Sequence, residues 1–143
     1  MSDLDPCFKE KIRQSFARQS VMTLIGAELT KVEPGVIEIT LPYRADLTQQ
    51  HGYVHAGIIT TIADSACGYA AFTLMPANSE VLSVEFKVNL LRPAKGEMFL
   101  ARGDVIKSGR TLTVARADVF ALWENTRELI ATMQATIMCL RKE

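Results

Sequence analysis

One carboxylate set inside a long apolar helical stretch constrains this chain more than any other feature. From position 55 to 72 it reads His-Ala-Gly-Ile-Ile-Thr-Thr-Ile-Ala-Asp-Ser-Ala-Cys-Gly-Tyr-Ala-Ala-Phe. The pattern predicts a helix over about 56–74, stopped near Met75-Pro76. Its apolar positions fall on every side, and such a helix is normally buried. A carboxylate in those surroundings is costly unless it is paired or hydrogen-bonded. Asp64 is therefore held by a partner or used by the protein. The plain readings are a satisfied structural acid or a helix with one wet stripe; the other is chemistry.

The rest of the chain supplies strands to cover that helix. Phe8, Ile12 and Phe16 recur at steps of four, which predicts an amphipathic helix over 5–20. Residues 23–42 read as a hairpin with Glu33-Pro34-Gly35 at its turn. Beyond the turn, Ile37, Ile39 and Leu41 alternate with Glu38 and Thr40, the period of a half-buried strand. A polar connection covers 43–54. In 81–91, Leu82, Val84, Phe86, Val88 and Leu90 are expected to line one face of a strand. Arg92-Pro93-Ala94-Lys95-Gly96 breaks it, and strands follow over 97–107, 110–122 and 127–140, with turns at Ser108-Gly109 and Glu124-Asn125. Strands joined by such short turns are predicted to be antiparallel neighbours. A helix of this kind buries itself by lying across the sheet, giving a two-layer α+β domain. With 143 residues, 48% of them hydrophobic, residues 1–143 are expected to form one domain, with an N-terminal helix in 1–20 and a core over about 21–140.

Charge and cysteine usage narrow the functional classes. Sixteen basic and sixteen acidic residues cancel, which argues against a nucleic-acid or anionic-membrane partner. No apolar run reaches the roughly 18–20 residues of a membrane span. The start, Met1-Ser2-Asp3-Leu4-Asp5-Pro6, has neither the basic end nor the apolar core of a secretion signal, so a cytoplasmic location is expected. Three cysteines, Cys7, Cys67 and Cys139, form no metal-type or disulfide framework, and the last two read as packed thiols. Ser65 lacks a Gly-x-Ser-x-Gly elbow. Nothing places Cys67 beside His51 or His55. No phosphate loop or metal-ligand cluster is visible, and no cofactor is expected.

The segment Gln49-Gln50-His51-Gly52-Tyr53-Val54-His55-Ala56-Gly57, with Asp64 seven residues further on, resembles the signature of hotdog acyl-CoA thioesterases of the PaaI type. That family's pattern is Asn-x-x-Gly-x-x-His-Gly-Gly followed by an acid. Gly52, His55, Gly57 and Asp64 match it; Gln49 stands in place of Asn, and Ala56 in place of the first Gly of the pair. Ser83-Val84-Glu85-Phe86, Leu91-Arg92-Pro93-Ala94-x-Gly96 and Ser108-Gly109-Arg110 extend the resemblance over roughly residues 20–140. It implies the hotdog fold, with a curved antiparallel sheet wrapped around the long helix. It also implies hydrolysis of acyl-CoA without a cofactor, in a homodimer with shared active sites, and the pairing of dimers into tetramers.

The chemistry fits the spacing. Thioester hydrolysis needs a donor for the carbonyl oxygen and a base or nucleophile. The first turn of a helix offers free N–H groups at its positive end, here those of Ala56 or Gly57. Asp64 is the candidate base or nucleophile. It lies about 10–12 Å further along the axis at 1.5 Å per residue, whereas a scissile carbonyl needs its donors at about 3 Å. One chain cannot bring both to one carbon, and two antiparallel helices about a two-fold axis can. Gln49 is a candidate for orienting the water or thioester, His55 for fixing the loop or touching the thioester, and Ser83 for a helper hydroxyl. His51 reads as a surface residue. Arg92, Lys107 and Arg110 are candidate contacts for the phosphates of CoA. Phe72, Met75 and Leu82 read as core more readily than as an acyl tunnel. The alternatives are a non-catalytic protein binding acyl-CoA or acyl-carrier protein, permitted by Gln49 and Ala56, and a hotdog enoyl-CoA hydratase, for which no Asp-x-x-x-x-His is present.

Overall fold

A computed structural model describes residues 4–142 of the chain. Two helices open it, α1 (Phe8–Ala17) and α2 (Ser20–Ile25). Ile12 is fully buried, with Phe8 and Phe16 packed on the same core, as their spacing predicts. The second helix occupies the predicted start of the hairpin. Gly26 ends it at φ +80, where the N–H groups of Gly26 and Ala27 both donate to the Met22 carbonyl. This is a left-handed helix stop that suits glycine, and it delays the first strand to Glu28.

The hairpin is then β1 (Glu28–Glu33) and β2 (Val36–Pro42), turning at Pro34-Gly35 with Gly35 at φ +73. The Gly35 N–H donates to Thr73 Oγ1 at 2.7 Å, and that hydroxyl donates to the Ala70 carbonyl at 2.7 Å. One buried threonine thus fastens the turn to the C-terminal end of the long helix, α3 (Ala56–Phe72). Four strands follow: β3 (Ser79–Leu90), β4 (Met98–Lys107), β5 (Leu112–Trp123) and β6 (Thr126–Arg141). The sheet is six-stranded, in the order β1-β2-β4-β5-β6-β3, and antiparallel throughout. With α3 across its concave face, this is the hotdog arrangement.

The expectation that short turns join neighbours fails once. β3 and β4 are consecutive in the chain yet three strands apart in the sheet. Segment 91–97 crosses the ends of β6 and β5. The Leu91 N–H donates to the Ile130 carbonyl at 2.8 Å, and the Glu97 N–H to that of Leu122 at 2.9 Å. Three strand spacings are only about 14 Å; an extended segment of that length reaches further, and the strand ends satisfy its backbone.

Small side chains let α3 lie close to the sheet. Ala63, Ala66, Ala70 and Ala71 are fully buried, as are Ala101, Ala115, Ala117 and Ala135 in the strands. A Cβ on Gly103 in β4 would stand 2.3 Å from the Ala66 carbonyl oxygen.

A bulge corrects the reading of β3. Ser83 pairs with Ile137 but Glu85 with Thr136, which leaves Val84 extra. One inserted residue reverses the alternation. Phe86, Val88 and Leu90 oppose the buried Ala135, Met133 and Ala131, so they share the helix-facing side with Ser83. Leu82 falls on the other side and is 56% exposed. The five apolar residues do not line one face.

Candidate active site

The approach to α3 is built by local hydrogen bonds. Gln49 Oε1 accepts from the N–H groups of His51 at 2.6 Å and Tyr53 at 3.3 Å. Gly52, at φ +84, closes the turn with its N–H on the Gln49 carbonyl at 3.0 Å. The His55 N–H donates to the Leu47 carbonyl at 2.9 Å. His55 is the N-cap of α3, and its Nδ1 accepts from the Gly57 N–H at 2.8 Å.

Three consequences follow. An accepting Nδ1 carries no proton, so the neutral ring carries its own on Nε2. The Gly57 N–H is committed, whereas the Ala56 N–H meets no acceptor among the described residues. The Gln49 side-chain oxygen is likewise committed, and its amide N–H groups have no acceptor among the described residues. A Cβ at Gly57 would crowd His55 Nδ1 at 3.1 Å, while Ala56 occupies the first helical position without such a conflict. Glycine matters at 57 for the cap and is dispensable at 56. Gln49, Tyr53, His55, Ala56, Arg92 and Pro93 are among the residues around a pocket of about 490 Å³.

Asp64 is half-buried, on a stripe with Thr60, Thr61 and Ser65 that interrupts the otherwise buried surface of α3. The helix is not apolar on every side; it has a wet stripe. Ser83 Oγ donates to Asp64 Oδ1 at 2.7 Å, a contact that depends on the β3 bulge. The second carboxylate oxygen is left for other work. Asp64 and Ser83 open into a separate cavity of about 350 Å³. There Gln19 Nε2 donates to the Tyr69 hydroxyl at 2.8 Å, and that hydroxyl pairs with Ser15 at 3.1 Å. Sequence reasoning missed Ser15, Gln19 and Tyr69: Tyr69 reads as one more buried position of α3, and only the packing of the first two helices brings Ser15 and Gln19 to its hydroxyl. The two cavities share no lining residue, and Ala56 and Asp64 are about 12 Å apart along the axis at 1.5 Å per residue.

Of the three cations expected near the nucleotide of CoA, Arg92 borders the first pocket and pairs with Glu128 at 3.4 Å. Lys107 and Arg110 do not join it. Lys107 pairs with Val114 at the far end of β4, and Arg110 lines a cleft with Leu74 and Met75, beyond the opposite end of α3. His51 is exposed, as expected. Phe72 and Met75 are core residues at 2% and 3% exposure, and with Leu82 on the outer face they form no tunnel. Cys67 is fully buried. Burial above all, then the nearby charge of Asp64, pushes its thiol up to about 12, which leaves no thiolate to act as a nucleophile. Among the described residues, no helix is long and apolar enough to cross a membrane, and no group of His, Cys, Asp or Glu is placed to hold a metal ion.

A central helix wrapped by this sheet is the fold of the hotdog thioesterases. The chain belongs to the thioesterase superfamily, whose family model matches residues 51–125. A thioesterase family protein from Silicibacter pomeroyi is 53% identical, with 94% of this chain and 99% of that one covered and a TM-score of 0.93. The E. coli PaaI protein of the phenylacetic acid degradation operon shares the fold at 16% identity, covering 98% and 96% of the two chains with a TM-score of 0.84. The 1,4-dihydroxy-2-naphthoyl-CoA hydrolase of Listeria monocytogenes is 24% identical over 118 residues, 82% of this chain and 94% of that protein.

Proposed function

We propose that the protein hydrolyses acyl-CoA to a carboxylic acid and free CoA, in active sites that two subunits share. The observation that carries this reading is the division of the site on one chain. An unpaired helix N–H lies in one cavity, and a serine-held carboxylate lies in another. A two-fold axis that sets two α3 helices antiparallel would bring the Ala56 of each chain to the partner's Asp64. The free edge of β3 supports such a dimer. It exposes Val84, Phe86 and Leu90 at 52%, 43% and 54%, and a long apolar edge strand is a template for pairing with another chain.

In that site the thioester oxygen accepts from the Ala56 N–H at the positive end of the α3 dipole. A Gln49 amide N–H, which has no acceptor among the described residues, assists it. Ser83 holds one oxygen of Asp64. The other takes a proton from water as the water attacks, or itself attacks the carbonyl carbon. The C–S bond then breaks: in the first course the proton passes from Asp64 to the departing thiolate, and in the second, water hydrolyses the acyl-aspartyl anhydride that forms, freeing the acid, restoring the Asp64 carboxylate and supplying the thiolate's proton. The name of the Listeria relative makes aryl acyl-CoAs the first substrates to try, alongside alkyl ones.

The test is thiol release from a panel of acyl-CoAs by the wild-type protein and Asp64→Asn. The variant is expected to fold and dimerise but lose at least about a hundredfold in turnover. Retained turnover would remove Asp64 from the mechanism. Acyl-CoA binding without thiol release would favour a carrier or sensor role, and hydration of crotonyl-CoA a hydratase.

A further inference from the structure

The pocket at the start of α3 does not end at Arg92. Tyr53 and Pro93 form part of its wall and also part of the wall of a neighbouring cavity of about 530 Å³. Trp123, half-buried at the end of β5 beside the β5–β6 turn, lines this second cavity together with Lys95, Glu97 and Glu128. Segment 91–97 holds it in shape. The Glu97 N–H is bonded to the Leu122 carbonyl at 2.9 Å, and a Cβ on Gly96 would approach that same carbonyl oxygen to 3.1 Å. Nothing in the hydrolytic chemistry above uses this cavity.

We infer that the second cavity receives the adenine ring of CoA, with Trp123 as the stacking surface and Arg92 and Lys95 beside the phosphates. This rests on the acyl-CoA reading above. In CoA the sulfur and the first phosphate are separated by a pantetheine arm of roughly 15 Å when extended, at ordinary bond lengths. With the carbonyl at Ala56, the nucleotide must leave the first pocket and settle on an adjoining surface. The cavity across Tyr53 and Pro93 is such a surface. Its chemistry suits a purine: a ring to stack on, and carboxylates at Glu97 and Glu128 to accept from the 6-amino group. Arg92, already steadied by Glu128 at 3.4 Å, and Lys95 supply positive charge at the junction.

Trp123 is the only tryptophan in the chain, so its emission reports on this cavity alone. Titrating the wild-type protein with CoA, and with adenosine 3′,5′-bisphosphate as the nucleotide without the arm, is expected to quench that emission saturably. The kinetic arm compares one acyl group carried on CoA and on N-acetylcysteamine. The wild-type preference for the CoA thioester is expected to fall at least tenfold in Trp123→Ala, mainly through KM. Trp123→Phe, which keeps a smaller ring, should fall between the two and serves if the alanine variant does not fold. Unchanged emission at saturating CoA, or an unchanged preference in the variants, would overturn the inference even while acyl-CoA hydrolysis stands. Failure to hydrolyse any acyl-CoA would instead refute the proposed function, and the emission titration would still decide the cavity's role.

Discussion

Ala56→Pro isolates one hydrogen-bond donor. Ala56 is the first residue of α3, the helical position at which proline is most readily accepted. Its N–H donates to nothing among the described residues, so its removal costs the fold no bond. The preceding residue, His55, already sits at φ −58 and ψ 137, in the extended region that proline imposes on its neighbour. Stability should be unchanged or higher by about 0.4–1 kcal/mol, through reduced freedom of the unfolded chain. Turnover should fall about 10²–10³-fold, the 2.7–4 kcal/mol that one oxyanion donor typically supplies. Ala56→Gly keeps the N–H and should retain most activity, which separates the lost donor from a change of shape. Thermal unfolding and thiol release from one good acyl-CoA measure both quantities. The proposed shared site adds a sharper readout. When Ala56→Pro and Asp64→Asn chains are unfolded together and reassembled 1:1, half the dimers are mixed, each with one intact site. Activity should return to about a quarter of wild type, by statistical assortment of subunits in a two-fold dimer. Full activity in Ala56→Pro would refute the donor assignment, and no recovery on mixing would refute the shared site.

Three further outcomes test the surroundings. Ser83→Ala removes the 2.7 Å bond to Asp64 and should lower turnover about tenfold, about 1.4 kcal/mol of transition-state stabilisation, with little change in stability because the half-buried carboxylate stays open to water; wild-type turnover would remove Ser83 from the site. Gly103→Ala would place a methyl 2.3 Å from the Ala66 carbonyl oxygen. It should cost about 3 kcal/mol by overpacking, seen as a melting temperature lower by roughly 6–12 °C; an unchanged melting temperature would mean that α3 is not held against β4. Iodoacetamide at pH 8 should label exposed Cys7 and spare Cys67, whose thiol is pushed up to about 12; rapid labelling of Cys67 in the folded protein would contradict its burial.

Periodicity and turn chemistry settled much of this protein before any packing was considered. The apolar run at 56–72, the Pro34-Gly35 turn and the alternation of Ile37, Ile39 and Leu41 are local signals, set by helix and strand periods and by where glycine is needed. The spacing from Ala56 to Asp64 already set the two groups about 12 Å apart along one helix, because rise per residue is fixed. What the sequence left undecided depended on chain segments that meet only in space. The β3 bulge, which carries Ser83 to Asp64 and turns Leu82 away, is invisible to a period-two reading. The crossing from β3 to the far side of β5 depends on strand ends that satisfy a loop's backbone. The choice of Ala56 over Gly57 as the free donor turns on where one imidazole nitrogen points. The separation of Arg92 from Lys107 and Arg110 follows from their lying toward opposite ends of α3. Local propensity acts over a few residues, whereas each of these outcomes joins groups that the sequence holds apart and the sheet brings together around one helix.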